Sequence, residues 1–340
     1  MAQINKPNTH FNSVLYTGNN TSQSVTGVGF QPDWVWLKER NGTEQHNLYD
    51  SVRGVHKRLM SDSSSAEYDS NTQLTSFDSD GFSVGSSDAI NDNGNSMVGW
   101  NWKAGGTAST NTDGSIDSQV SVNTTAGFSI VSYTAPSGIN TIGHGLGVTP
   151  NIIIVKVRDE VSAWIWGQDK LGWSNRLLLN ATNTTGSEPR FFYANSQEPN
   201  ATTWSADQNA YGNANAPMIA YCFAEKKGFS KFGTYAGNPS VDGTFLYLGF
   251  KPAFLLVKGT TTAESWIMFD NARSPSNAVD KRLLANASNV ETSDLVVDFL
   301  SNGVKFRSDQ NAIDHANTYM YMAFAENPLV GSNGIPATAR

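Results

Sequence analysis

One cysteine, Cys222, occurs in the 340 residues of the chain. An intramolecular disulfide framework is therefore excluded, and the apolar run 218–223 around Cys222 marks it as a small buried filler and not a nucleophile. Charge is scarce too: 16 % of residues are Asp, Glu, Lys or Arg, against roughly 25 % in ordinary soluble domains. The balance is acidic, −7 at pH 7, with no basic stripe to neutralise phosphates, so no nucleic-acid partner is expected. No stretch approaches the roughly 18 apolar residues of a membrane span. The opening MAQINKPNTHFN has no basic segment followed by an apolar core, so neither a secretory signal nor membrane insertion is expected. HExxH, the P-loop and CxxC are all absent, which removes the usual local signatures of zinc, nucleotide and dithiol chemistry. His10, His46, His56, His144 and His315 recur neither at matching positions nor at metal-ligand spacing. Gly143-His144-Gly145-Leu146-Gly147 precedes a strand pattern, not a helix, and reads as a turn and not a phosphate cradle.

Gly, Ser, Thr and Asn fill the chain instead, with aromatics at 11 %, a mixture suited to short strands joined by polar turns. The chain also repeats itself. GFQPDWVWLK at 29–38, GVTPNIIIVK at 147–156 and GFKPAFLLVK at 249–258 share one ungapped frame. Before it stands an aromatic-bearing strand pattern containing Tyr16, Tyr133 or Tyr235. After it come a second strand pattern ending at Asp50, Asp169 or Asp270, then Arg58-Leu59, Arg176-Leu177 or Arg282-Leu283. A closing aromatic stretch, MVGWNW, MIAYCF or YMYMAF, follows; from the frame Pro to its last aromatic is 70, 73 and 72 residues. The expectation is an all-β chain of three tandem β-sandwich repeats of about 100 residues, with little helix. An N-terminal arm (1–10) precedes unit one (11–103), and a linker with an added strand over 116–122 occupies 104–127. Unit two (128–226), unit three (227–329) and a tail (330–340) follow.

In 34–37, 152–155 and 254–257 both alternating faces are apolar, which predicts a strand covered on both sides. Lys38 and Asp50, Lys156 and Asp169, and Lys258 and Asp270 lie 12, 13 and 12 apart and are expected to form cross-strand ion pairs. SFDSDGFSV (76–84) and DFLSNGVKF (298–306) predict hairpins turning at Asp80-Gly81 and Asn302-Gly303. The stretch MIAYCFAE–KKG–FSKFGTYAG predicts a further hairpin that joins units two and three.

Candidate binding residues are few. Asp78, Asp80, Asp88 and Asp92 offer clustered oxygen ligands for a possible Ca²⁺; no other cofactor is expected. Most tryptophans fall in strand patterns, leaving Trp173, Tyr68 and Tyr211 in turn-like settings as sugar-facing aromatics. No carboxylate pair is singled out for glycoside hydrolysis. The variable loops 39–46, 61–73, 86–96, 180–203 and 271–279 are where function would reside on a rigid sandwich.

FNSVLYTGNNTSQSVTGVGFQPDWVWLK, LYDSVRG, LTSFDSDGF, WNWKAGG, TNTDGSI, GFSIVSYT, AYCFAE, GFSKFGTY and MAFAENP resemble a family of tandem-repeat virion proteins of tailed phages of marine bacteria, usually described as structural or tail-fibre-like. The resemblance runs from residue 11 to about 329. It implies a concanavalin-like or jelly-roll-like sandwich at the virion surface, made in the host cytoplasm and partnered by other virion proteins. It brings no catalytic residues. The expectation is a non-enzymatic surface protein (tail fibre, tail tip or head appendage) that adheres to a host-surface glycan. Such appendages are commonly trimers. A purely structural decoration or connector role is the alternative, and a glycan depolymerase the second alternative.

Overall fold

In the computed structural model of the chain, residues 3–331, 334 and 336–338 are described. The chain is all-β and sandwich-like, with 44 % strand and 6 % helix. A first large sheet orders Phe11–Thr17, Ser96–Trp102, Trp34–Glu39, Asn47–Asp50, Gly54–Leu59 and Tyr68–Asp69. Its small companion orders Gln23–Thr26, Gly81–Val84 and Leu74–Asp78. The second large sheet runs Ser109–Asn111, Ser118–Asn123, Phe128–Thr134, Pro217–Phe223, Ile152–Val157, Ile165–Gln168, Asn175–Leu178 and Gly186–Ser187, with Ile139–Gly143 and Thr203–Asp207 as its companion. In the third, Ser230–Ala236, Thr318–Pro328, Phe250–Gly259, Ile267–Asp270 and Leu283–Leu284 accompany Phe245–Tyr247, Gly303–Phe306 and Val297–Leu300. Every pairing within these strands is antiparallel. The frame strand is interior in each large sheet, beside the closing aromatic strand.

Period-two alternation decides the layering. Val35 and Leu37, Ile153 and Val155, and Leu255 and Val257 pack toward their own small sheets in three separate cores. Trp34 and Trp36, Ile152 and Ile154, and Phe254 and Leu256 point the other way, into one core that all three large sheets share. Trp34 stacks on Tyr221 with ring centroids 4.4 Å apart, Trp166 meets Trp266 at 4.9 Å, and Phe11 stacks on Phe324 at 5.1 Å. Large aromatics suit such a hub because each buries on the order of 150–250 Å² with few rotors to freeze.

The contacts between large sheets run head to tail and close a ring. Trp164 Nε1 donates to Met60 O (2.7 Å), Trp266 Nε1 to Leu178 O (2.9 Å), and the His46 Nε2–H to Leu284 O (2.9 Å). His46, Trp164 and Trp266 hold the same register position, each just before the strand that pairs with the frame. Three similar seams result, and two carry an ion-pair relay. Arg53 binds Asp50 (2.5 Å) while Glu67 bridges Arg53 (3.1 Å) to Arg158 (2.8 Å). Arg273 binds Asp270 (2.5 Å) while Glu291 bridges Arg273 (3.4 Å) to Arg40 (2.8 Å). At the third seam the matching positions are Gln168, Leu171, Thr185 and Thr260, and the sheets are joined by Gln168 Nε2 to Gly233 O (3.1 Å), Thr185 N to Thr260 O (2.9 Å) and Lys258 Nζ to Thr182 O (3.2 Å).

Three expectations are corrected. First, the Lys–Asp ion pairs do not form. Trp34 lies opposite Asp50, so Lys38 sits at the far, loop end of its hairpin. Its Nζ donates to Glu39 O (2.6 Å) and Gly42 O (3.2 Å). Lys156 does the same to Val157 O and Glu160 O, and Lys258 to Gly259 O and Thr262 O. Second, Asp169 does not match Asp50 and Asp270: Gln168 faces Ile152, as Asp50 faces Trp34 and Asp270 faces Phe254. Asp169 contacts Asn151 (3.0 Å) and Lys170 (3.1 Å) instead. Third, Pro217–Phe223 and Ser230–Ala236 form no hairpin. Both sides of Pro217–Phe223 are already taken by Phe128–Thr134 and Ile152–Val157, so the chain crosses to another sheet. The hairpins over 76–84 and 298–306 do form, and the strand expected at 116–122 spans Ser118–Asn123.

Candidate functional site

The titratable groups that sequence marks as chemically interesting are held in structural bonds. Burial, with Lys38 beside it, pushes the His46 imidazole down to about 3, so it stays neutral. Its Nδ1 accepts from Trp36 Nε1 (2.7 Å), which leaves Nε2 as the donor across the seam. Asp50 Oδ2 also receives the Tyr221 hydroxyl (2.7 Å), and Asp270 Oδ2 receives Trp100 Nε1 (2.9 Å). Burial opposes ionisation of Glu67, yet Arg158 and Arg53 hold it below the usual carboxylate range. Cys222 is fully buried and burial raises its thiol well out of reach of neutral pH.

The four aspartates do not form a cation site. Asp80 accepts from Gly27 N (3.1 Å) and Gly29 N (2.6 Å), tying the turn at 27–29 to the hairpin tip. Asp78 accepts from the Ser83 hydroxyl (2.7 Å), Asp92 from Asn95 Nδ2 (2.6 Å), and Asp88 opens the short helix Asp88–Asn91. Among the described residues no three His, Cys, Asp or Glu side chains converge to ligand distance.

Two of the three aromatic candidates are likewise corrected. Trp173 and Tyr211 are 4 % and 7 % exposed and belong to the core beneath the second small sheet. The Tyr211 hydroxyl is spent on Phe191 O (2.6 Å), and Trp173 packs on Phe192 at 6.0 Å. A turn-like sequence setting does not mean an outward side chain, because the loops of this sheet pair fold back over it. Tyr68 is different: it lies on the edge strand Tyr68–Asp69 and is 57 % exposed. It lines a groove of about 500 Å³ with Gln45, Arg58, Ser70, Thr72 and Gln73. Glu67 is the acid of that lining, and its carboxylate is already bound by two arginines. Phe245 and Tyr247, on one face of the edge strand Phe245–Tyr247, are also exposed, with Lys231 Nζ 5.1 Å above the Tyr247 ring. Alternation in TFLYLGF, with Leu246 buried between them, is the signal that would have found this pair. For the seams with an ion-pair relay the signal is Asp followed three residues on by Arg, at 50–53 and 270–273.

The sequence model of one family matches residues 6–328. The chain belongs to that family, the domain of unknown function DUF7483. The DUF7483 match encloses every strand from Phe11 to Pro328, so the ring of sheets lies within one family unit. No curated protein and no solved structure matches the chain.

Proposed function

We propose that this DUF7483 chain is a non-enzymatic virion-surface protein of a tailed phage that contributes to adhesion on a host-surface glycan. It is built, in this reading, from three tandem β-sandwich repeats closed on a common hub. The motifs shared with tandem-repeat virion proteins support the virion assignment. The observation that carries adhesion is the polar, tyrosine-bearing groove on the outer edge of the first large sheet, set on a rigid scaffold. A depolymerase would need two carboxylates facing one groove; the groove lining holds Glu67 alone, neutralised by Arg53 and Arg158. As the resemblance implies, the chain acts in this reading as a homo-oligomer, with a trimer favoured. Several copies on a particle would convert weak contacts into avidity.

A second reading, a decoration or connector protein, is favoured by the edge strand Phe245–Tyr247 with its exposed aromatic pair. One experiment separates the two. Purified, fluorescently labelled protein is applied to intact host and non-host cells with unlabelled protein as competitor. Saturable, competable binding to host cells alone supports adhesion. Failure to bind at high concentration sinks it and leaves the connector reading in front.

A further inference from the structure

Three arginines share one register position in the large sheets. Arg58 lies opposite Tyr68, Arg176 opposite Gly186 and Arg282 opposite Thr292. Two residues past those partners stand Ser70, Glu188 and Asp294. In the third sheet Arg282 Nε and Nη2 donate to Asp294 Oδ1 and Oδ2 at 2.5 and 2.6 Å, a two-point grip on a carboxylate. The Thr292 hydroxyl adds a third bond to Oδ1 (2.8 Å). In the second, the Arg176 guanidinium lies 5.9 Å over the Phe191 ring, and Glu188 is taken by Arg190 (2.8 Å).

The first sheet keeps the arginine and loses the acid. Among the described residues Arg58 Nη2 has only Gln45 Oε1 at 3.4 Å and Met60 Sδ at 2.9 Å, and its buried Nε has no hydrogen-bond partner. Ser70, where Asp294 has its counterpart, spends its hydroxyl on Thr72 (3.0 Å). Arg58, Ser70 and Tyr68 line the same groove of about 500 Å³. Arg58 is half-buried and feels the Asp62 carboxylate without a hydrogen bond to it, so its Nε–H is the unmet donor, and a carboxylate arriving in the groove would satisfy it.

We infer that this groove binds the carboxylate of an acidic saccharide, a hexuronate-type unit, on Arg58, with Asp294 on Arg282 as the internal picture of the bound group. The saccharide class follows from the rest of the lining. Tyr68 offers a ring face for the apolar side of a sugar, and Gln45, Ser65, Thr72 and Gln73 offer hydroxyl and amide partners. The inference deepens the adhesion reading and rests on it.

The test is a calorimetric titration of the full chain with a uronic-acid trisaccharide, a neutral trisaccharide and a triglutamate peptide. Arg58→Gln removes the grip. Ser70→Asp hands Arg58 the acid that Arg282 already has, and so blocks the groove while preserving the fold. The expected result is binding of the uronate, with the neutral sugar and either variant weaker by about ten- to a hundredfold, the equivalent of a charge-assisted hydrogen bond. No uronate binding, equal binding of the neutral sugar, unchanged binding by Ser70→Asp, or tighter binding of the peptide would overturn the inference. The cell assay run alongside keeps the two readings apart. Host-cell binding equal in wild type and Ser70→Asp overturns the groove but leaves adhesion standing. Absence of cell binding by both sinks adhesion, while the titration still decides the groove.

Discussion

Lys38, Lys156 and Lys258 show how a residue can be repeated for a reason that its charge does not suggest. Each ammonium is folded back onto the carbonyls one and four residues ahead, and so closes the loop of its own hairpin. Burial lowers all three to about 8 from the ordinary 10.5. Below pH 8 folded and unfolded chains are both protonated there, and the cost of burying charge is fully present. Between pH 8 and 10.5 the unfolded chain binds more protons, so stability rises with pH. Above about pH 9 the buried Cys222 thiol, which burial raises, begins to oppose this. Urea midpoints measured from pH 7 to 9 are therefore expected to increase, and Lys258→Met to remove about a third of that slope. A flat or falling profile would show that the carbonyl bonds outweigh the desolvation.

At the scale of elements, the hairpin tips turn on glycine for space. A Cβ on Gly303 would stand 2.1 Å from Leu246 O of the neighbouring strand, and one on Gly81 2.0 Å from Val25 O. Gly303→Ala is expected to cost about 1–3 kcal/mol by forcing those backbones apart. Gly186→Ala, whose Cβ meets nothing nearer than 3.5 Å, is the control and should leave the denaturation midpoint unchanged. These hairpins were legible in sequence because turn chemistry and alternation are local. So were the frame strands, whose two apolar faces announced cover on both sides. What was not legible was register over distance. Lys38 and Asp50 are correctly spaced to share a hairpin, but only the pairing of Trp34 with Asp50 reveals that they stand at opposite ends. The candidate site divides along the same line. Tyr68 was recognisable in a polar stretch, whereas Trp173 and Tyr211 were hidden by loops that close over their own sheet. Arg58 was visible as one of three Arg-Leu pairs. Its missing acid was not, because the comparison with Asp294 requires knowing that Tyr68 and Thr292 occupy the same place.

For the whole molecule, the shared core makes the three large sheets dependent on one another. Trp34, Ile152 and Phe254 face the same apolar volume, so a sheet pair standing alone would expose a broad aromatic face to water. Calorimetry of the full chain is expected to give one transition whose van't Hoff and calorimetric enthalpies agree. A fragment of residues 128–226 is expected to aggregate or remain unfolded. Three resolved transitions, or a soluble folded fragment, would mean that the hub contributes little.

The seams within the hub are not alike. Two are latched by Asp–Arg–Glu–Arg relays, and the third has Gln168, Leu171, Thr185 and Thr260 in their place. Identical subunits around an axis would have to share one kind of joint. A single polypeptide is free of that constraint, and so the ring has a built-in origin from which its three similar faces can be told apart. A partner docking across the joint that lacks the relay would meet the molecule in one orientation out of three, which turns a rotationally ambiguous object into a keyed one.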